Sequence, residues 1–170
     1  SDLSTESTGK NLVDYLSGSK ENLIIVDARN FPDKGNKANT GENYIKWNPD
    51  NTEGGINNLG TTYRPSFIGL GHEMAHIEDK LRNGKVNESS WYGGTEADKY
   101  ATDVENKIRV EHGITLRAYY GILKDIETRA VYGDPRTRLI DKNGRGIYYQ
   151  TIYYQSIKLG NHIIRFPFNH

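Results

Sequence analysis

His72-Glu73-Met74-Ala75-His76 is the feature that most limits what this chain can fold into. A spacing of four puts two imidazoles on one face of a helix, one turn apart, with the glutamate beside them. The surrounding residues predict that helix, from Pro65 to about Arg82. Phe67, Leu70, Met74, Ile77 and Leu81 recur at intervals of three and four, which makes one apolar face. Pro65 suits the first helical position and pushes Arg64 out of the helical region, while Asn83-Gly84 supplies the stop. Gly69 and Gly71 each cost roughly 1 kcal/mol against alanine inside a helix. They are easier to accept where the backbone must come close to a neighbour or a substrate. Two histidines so placed can hold one zinc ion. The ion lowers the pKa of water towards 7 and polarises a carbonyl, and Glu73 can take the proton. His72 and His76 are therefore the expected ligands, and Glu73 the expected general base that then protonates the leaving amine.

Such a site needs a third protein ligand. The metzincin continuation would need glycine and histidine where Asp79 and Arg82 stand, which excludes that class. A second helix is predicted from Thr95, its N-cap, to about His112-Gly113, with an apolar stripe of Ala97, Ala101, Val104 and Ile108. Its acids are Glu96, Asp98, Asp103 and Glu105. At 100° per residue, Glu96 and Asp103 turn away from the stripe towards solvent, whereas Asp98 and Glu105 lie together at its edge. Asp98 already has a role as a first-turn cap. Glu105 is in mid-helix, its one competing role being an i,i+4 pair with Arg109. Glu105 is the expected third ligand, with Asp98 the alternative. His112 is expected to close the helix.

The rest of the chain is lean in apolar residues, at 35%. A short helix around Leu12, Val13, Tyr15 and Leu16 ends at Gly18. Leu23 to Val26 predicts a buried strand and Tyr44 to Trp47 a second one. Asn30 to Gly41 and Asn51 to Gly60 predict loops. Arg117 to Tyr132 predicts a third helix. The tyrosine-rich stretch Ile147 to Gln155 and the run Ile163 to Phe166, separated by Gly160-Asn161, predict a C-terminal β-hairpin. About half of the rings between Tyr148 and Tyr154 are expected in the core. No internal linker divides the chain, so residues 1–170 read as one domain.

Composition removes several classes. The 22 basic residues balance 22 acidic ones, so the electrostatic footprint of a nucleic-acid binder is missing. No stretch approaches the ~20 apolar residues of a membrane span. Ser1 to Gly18 lacks the apolar core of a signal peptide. With no cysteine, disulfides, thiolate catalysis and Cys-ligated zinc are all excluded.

Pro65 to Asp79, then Glu105-Asn106-Lys107-Ile108-Arg109-Val110-Glu111-His112-Gly113, then Arg117 to Tyr120, together resemble the effector-type HExxH zinc metallopeptidases. That family includes type III secretion effectors and the C-terminal toxin domains of polymorphic Rhs and type VI toxins. Its pattern is HExxH, then Glu-Asn-x-x-Arg-x-Glu-x-Gly, then Arg-x-x-Tyr. Ile45-Lys46-Trp47-Asn48-Pro49 is similar to a strand and turn often found upstream. The resemblance implies a protein-cleaving activity delivered into another cell by a bacterial secretion system, and a functional Glu105. A tyrosine such as Tyr120 can donate to an oxyanion, and Arg117 can hold a substrate carbonyl or orient a carboxylate. Tyr100 is a further tyrosine candidate.

The expectation is an α+β, zincin-like metallopeptidase domain: a small sheet, an HExxH helix, a second ligand-bearing helix and a C-terminal β-hairpin. It would use Zn2+ and hydrolyse peptide bonds of a target-cell protein. One edge strand, Tyr44–Trp47 or Leu23–Val26, would hold the peptide. The abrupt polar start at Ser1 agrees with a domain cut from a longer secreted protein; if that protein is an antibacterial toxin, a cognate immunity protein is expected. The alternative is a non-catalytic interaction module with structural zinc or none. A weaker reading is hydrolysis of a non-peptide amide.

Overall fold

In a computed structural model of the chain, residues 7–168 are described. Ser1 and the start of the polar lead-in lie outside them. The architecture is α+β, with three helices and small sheets. Helix α1 is Ser7–Ser17, α2 is Ser66–Asn83 and α3 is Glu96–Glu111. Each lies where the apolar spacing predicts it. Helix α2 ends in Gly84, whose φ of 75° is the left-handed cap that glycine accepts without strain. Helix α3 starts with a complete capping box: the Thr95 side chain meets the backbone of Asp98, and the Asp98 carboxylate meets the backbone of Thr95.

Helices α2 and α3 pack against each other, with α1 across both. Ile68, Met74, Ala75 and Ile77 of α2 close on Ala101, Val104 and Ile108 of α3. Leu12 and Leu16 of α1 and Ile45 of the sheet complete this core. Three strands lie over α2: β1 (Ile24–Asp27), β2 (Lys37–Asn39) and β3 (Tyr44–Trp47), in the order β1-β3-β2. The β1 and β3 strands are parallel, with Ile25 opposite Ile45. The β2 and β3 strands are antiparallel, with Ala38 opposite Ile45.

Four expectations change here. The β1 run is a strand but not a buried one, because Ile24 and Ile25 are 57% and 47% exposed. A β-branched run signals strand; burial of both faces needs cover that this edge position lacks. The stretch Asn30 to Gly41 is not wholly loop, since β2 forms within it. Tyr44–Trp47 is the central strand and cannot offer an edge. Arg117 to Tyr132 is not a helix: Arg117 and Tyr119 bridge to Asn57 and Arg138. Beyond them β6 (Ile122–Lys124) pairs with β7 (Val131–Gly133) around a turn held by Asp125.

The ribbon β4 (Ser90–Trp91) and β5 (Gly94–Thr95) leads into α3. The C-terminal hairpin is present as β8 (Tyr154–Leu159) and β9 (His162–Pro167), turning at Gly160-Asn161, but its first strand starts at Tyr154, so most of the stretch expected to form it, from Ile147, precedes the hairpin. A second apolar cluster joins Val110, Leu116, Ala118, Ile140, Tyr153 and Phe168. Of the late tyrosines only Tyr153 enters a core; Tyr148, Tyr149 and Tyr154 stay exposed. Tyr153 also corrects the solvent position expected for Asp103: its hydroxyl donates to the Asp103 carboxylate at 2.9 Å, and Asp103 is buried. The covering segment comes from far along the chain, which a helical projection cannot show.

Candidate active site

His72 and His76 face α3 from successive turns of α2, with ring centroids 5.1 Å apart and the rings nearly edge to face. Asp98, in the first turn of α3, turns Oδ1 to both. It lies 3.3 Å from His76 Nε2 and 3.8 Å from His72 Nε2. One donor atom from each of the three residues lies within 4.8 Å of the others. Tetrahedral zinc with bonds of about 2.0–2.1 Å needs neighbouring donors roughly 3.4 Å apart. Two imidazoles and a carboxylate at this spacing fit such an ion.

The other oxygen of Asp98 explains how that carboxylate is aimed. Oδ2 accepts from the Thr95 backbone N–H at 2.6 Å and from its hydroxyl at 2.9 Å. Capping and facing the imidazoles are therefore one arrangement, not competing ones. Burial raises the Asp98 pKa, but the two histidines and the Thr95 N–H outweigh it and hold the carboxyl far below its ordinary range.

The structure places Glu105 elsewhere than expected. It meets His72 on the opposite nitrogen, with Oε2 3.0 Å from Nδ1. It is fully buried and is not among the three converging donors. Arg109 donates to its Oε1 at 2.9 Å and Arg117 to its Oε2 at 3.0 Å. Burial alone would raise its pKa; Arg117, Arg109 and His72 together pull it well below the usual carboxylate value. A glutamate on Nδ1 fixes the ring and leaves Nε2 free to ligate. Burial also works against protonation of His72, but Asp98 and Glu105 reverse it and raise the His72 pKa.

Arg117, expected either to hold a substrate carbonyl or to orient a carboxylate, is placed against the Glu105 carboxylate. Its Nε and Nη2 donate to the carbonyls of Tyr119 and Tyr120. That grip turns the Tyr120 side chain into the cleft towards Asp98. Burial, then Asp98, pushes the phenol's pKa up, so it remains a proton donor. Gly94 makes this possible: a Cβ there would fall 2.3 Å from the Tyr120 ring. Tyr100 is turned elsewhere: its hydroxyl donates to Glu78 at 2.8 Å. His112 closes α3 as expected.

Glu73 points to the sheet side of the cleft, where its Oε2 accepts the Ala38 N–H of β2 at 2.7 Å. The sheet edge nearest the site is thus β2, a strand that its Lys-Ala-Asn sequence gave no reason to predict. Two lobes of about 430 and 300 Å³ meet at His72, Glu73 and Tyr120. The first runs along β2 to Asp98, the second past Arg64, Arg117 and the Gly54-Gly55 turn.

The sequence model of the Peptidase_M91 family, described as "Effector protein", matches residues 1–105. That is more than half of the 170 residues. The chain belongs to the Peptidase_M91 family. No curated protein and no solved structure matches it. The matched part of this M91 effector contains both histidines, Glu73, Asp98 and Glu105, while Arg117 and Tyr120 follow it.

Proposed function

We propose that this effector peptidase is a zinc endopeptidase of zincin-like design that cuts a protein inside a target cell. The observation that carries the reading is the convergence of His72, His76 and Asp98 beside Glu73. In this reading those three residues hold the ion, and Glu105 orients His72 without ligating. When bound, zinc supplies a Lewis acid that acidifies water and polarises the scissile carbonyl. Glu73 takes a proton from the attacking water as its oxygen bonds to the carbonyl carbon. It then delivers that proton to the amide nitrogen as the C–N bond breaks. Tyr120 donates a hydrogen bond to the oxygen on which negative charge develops. Arg117 is a positioning residue, acting through Glu105 and through the Tyr119–Tyr120 backbone. The β2 edge pairs with the extended peptide.

The 170 residues act in this proposal as one peptidase domain of a larger secreted protein, delivered by a bacterial secretion system. If the target is a bacterial cell, a cognate immunity protein covers the cleft. No described helix is long and apolar enough to cross a membrane.

Measuring bound metal and cleavage of a proteome extract, for the wild type and Glu73→Ala, tests the reading. Expected is zinc retained by both proteins and cleavage by the wild type only. Equal cleavage removes Glu73 from the chemistry. A protein that binds zinc but cleaves nothing is the interaction module instead.

A further inference from the structure

Arg64 is 8% exposed, and its side chain donates from Nε to the Glu53 carbonyl at 2.9 Å. Its Nη1 is closed to solvent and has no acceptor. Neither has Nδ2 of Asn36, whose Oδ1 is already fixed by the Asn48 N–H at 2.8 Å. These two donors converge. A Cβ at Gly69 would fall 2.2 Å from Arg64 Nη1 and 2.6 Å from Asn36 Nδ2, so both nitrogens rest over the bare backbone of that helical glycine. Buried donors without acceptors are costly, at about 1–3 kcal/mol each and more when charged.

No neighbour supplies the missing acceptor. Glu105 is taken by Arg109, Arg117 and His72, and Glu73 bonds the Ala38 N–H. Arg109 and Arg117 bond Glu105, so its oxygens are occupied, and Arg64 reaches Glu105 and Glu73 only through space. Gly69 lies one helical turn before Glu73, roughly 6 Å along the axis. Arg64 lines one lobe of the cleft and Asn36 the other, with Glu73 between them.

We propose that Arg64 and Asn36 form a carboxylate-recognising subsite that selects peptides with an acid next to the scissile bond. The guanidinium supplies a planar pair of donors matched to a carboxylate, and the Asn36 amide adds a third. The acceptor arrives with the ligand and ends the mismatch of two facing donors. The carboxylate belongs either to an Asp or Glu side chain or to a free peptide C-terminus. This inference rests on the peptidase reading above.

The test uses random peptide pools with Glu or Gln fixed near the cut, each made with free and with amidated C-termini. Cleavage by the zinc-loaded wild type is read by mass spectrometry. Binding to the Glu73→Ala protein is read separately by fluorescence polarisation and needs no turnover. Expected is about tenfold tighter binding of the Glu pools, with the same preference in cleavage. If only free C-termini are preferred, the carboxylate is terminal and the subsite stands. Asn36→Asp keeps the Asn48 bond and supplies the acceptor internally. It should erase the preference and raise Tm, whereas Arg64→Gln should erase it with Tm lowered. Equal binding of all pools, or a preference untouched by Asn36→Asp, overturns the subsite. Binding preference without any cleavage overturns the peptidase reading and leaves the subsite standing.

Discussion

Asp98 and Glu105 lie two turns apart on one helix and approach opposite nitrogens of the same imidazole. Asp98 Oδ1 is 3.8 Å from His72 Nε2, and Glu105 Oε2 is 3.0 Å from Nδ1. In the proposed reading a single helix thereby offers both a metal donor and the group that aims the ring next to it. The two acids should respond differently to substitution.

Asp98→Asn keeps acceptors for the Thr95 cap and should fold with little change in Tm, yet lose most of its zinc affinity. Asp98→Ala should add about 1 kcal/mol of destabilisation from the lost cap. Glu105→Gln should weaken zinc by about 10–100-fold, as orienting partners do. Glu105→Ala strands Arg109 and Arg117 and should cost about 3–5 kcal/mol. Metal titration beside thermal unfolding separates these outcomes. A zinc loss confined to the Glu105 variants would reverse the two roles.

Tyr120→Phe should lower kcat by about 100-fold while zinc affinity stays constant. Gly94→Ala should lower kcat at least as far, by driving a methyl into the Tyr120 ring and against Asp98 Oδ2, and should weaken zinc as well. The double variant should then be little worse than Gly94→Ala alone, because both remove the Tyr120 interaction. Additive losses would separate Gly94 from the tyrosine.

Zinc uptake near neutral pH should release a proton. His72 has its pKa raised above the ordinary 6.5 in the metal-free protein. Zinc needs the neutral ring, so affinity should begin to fall while the pH is still above 6.5 and continue falling as it drops. Calorimetry in buffers of different ionisation heat counts the protons. Binding with no proton release contradicts the His72 assignment.

Stability of the metal-free protein should peak between two limbs of opposite sign. The raised His72 pKa contributes stability fully present below 6.5 and lost as pH rises through the folded value. The depressed Glu105 pKa contributes stability fully present above 4.5 and lost as pH falls. Denaturant unfolding across this range should show a maximum between them, and Glu105→Gln should flatten the acid limb. An unchanged acid limb would show that Glu105 does not carry it.

What was legible in the sequence is what neighbours along the chain decide. The apolar face of α2, the Thr95–Asp98 cap and the Gly160 turn are all local patterns, and each forms. The choice between Asp98 and Glu105 was not local. Both lie at one edge of α3, and only the packing of α3 on α2 determines which nitrogen of His72 each meets. The β2 strand has residues of low strand propensity and exists because β3 and Glu73 supply its partners. Arg117 to Tyr132 carries helix-like spacing, but bridges to Asn57 and Arg138 draw it into extended backbone. The Gly54-Gly55 pair and Gly69 were visible as glycines. Their use is to make room for Arg64 and Arg117, which depends on contacts far apart in the chain.

The capping box at the head of α3 also constrains how this chain can diverge. Because one carboxylate both begins the helix and faces the histidines, the two tasks share a single phase. Residues gained or lost between Gly84 and Asn87, ahead of the carbonyls of Asn87 and Ser89 that accept from the first turn of α3, leave the donor in place. An insertion between Thr95 and Asp98 would rotate the donor by about 100° and undo the cap in the same event. Evolution can thus remodel the approach to the cleft freely, while the first turn of that helix is held to a fixed count.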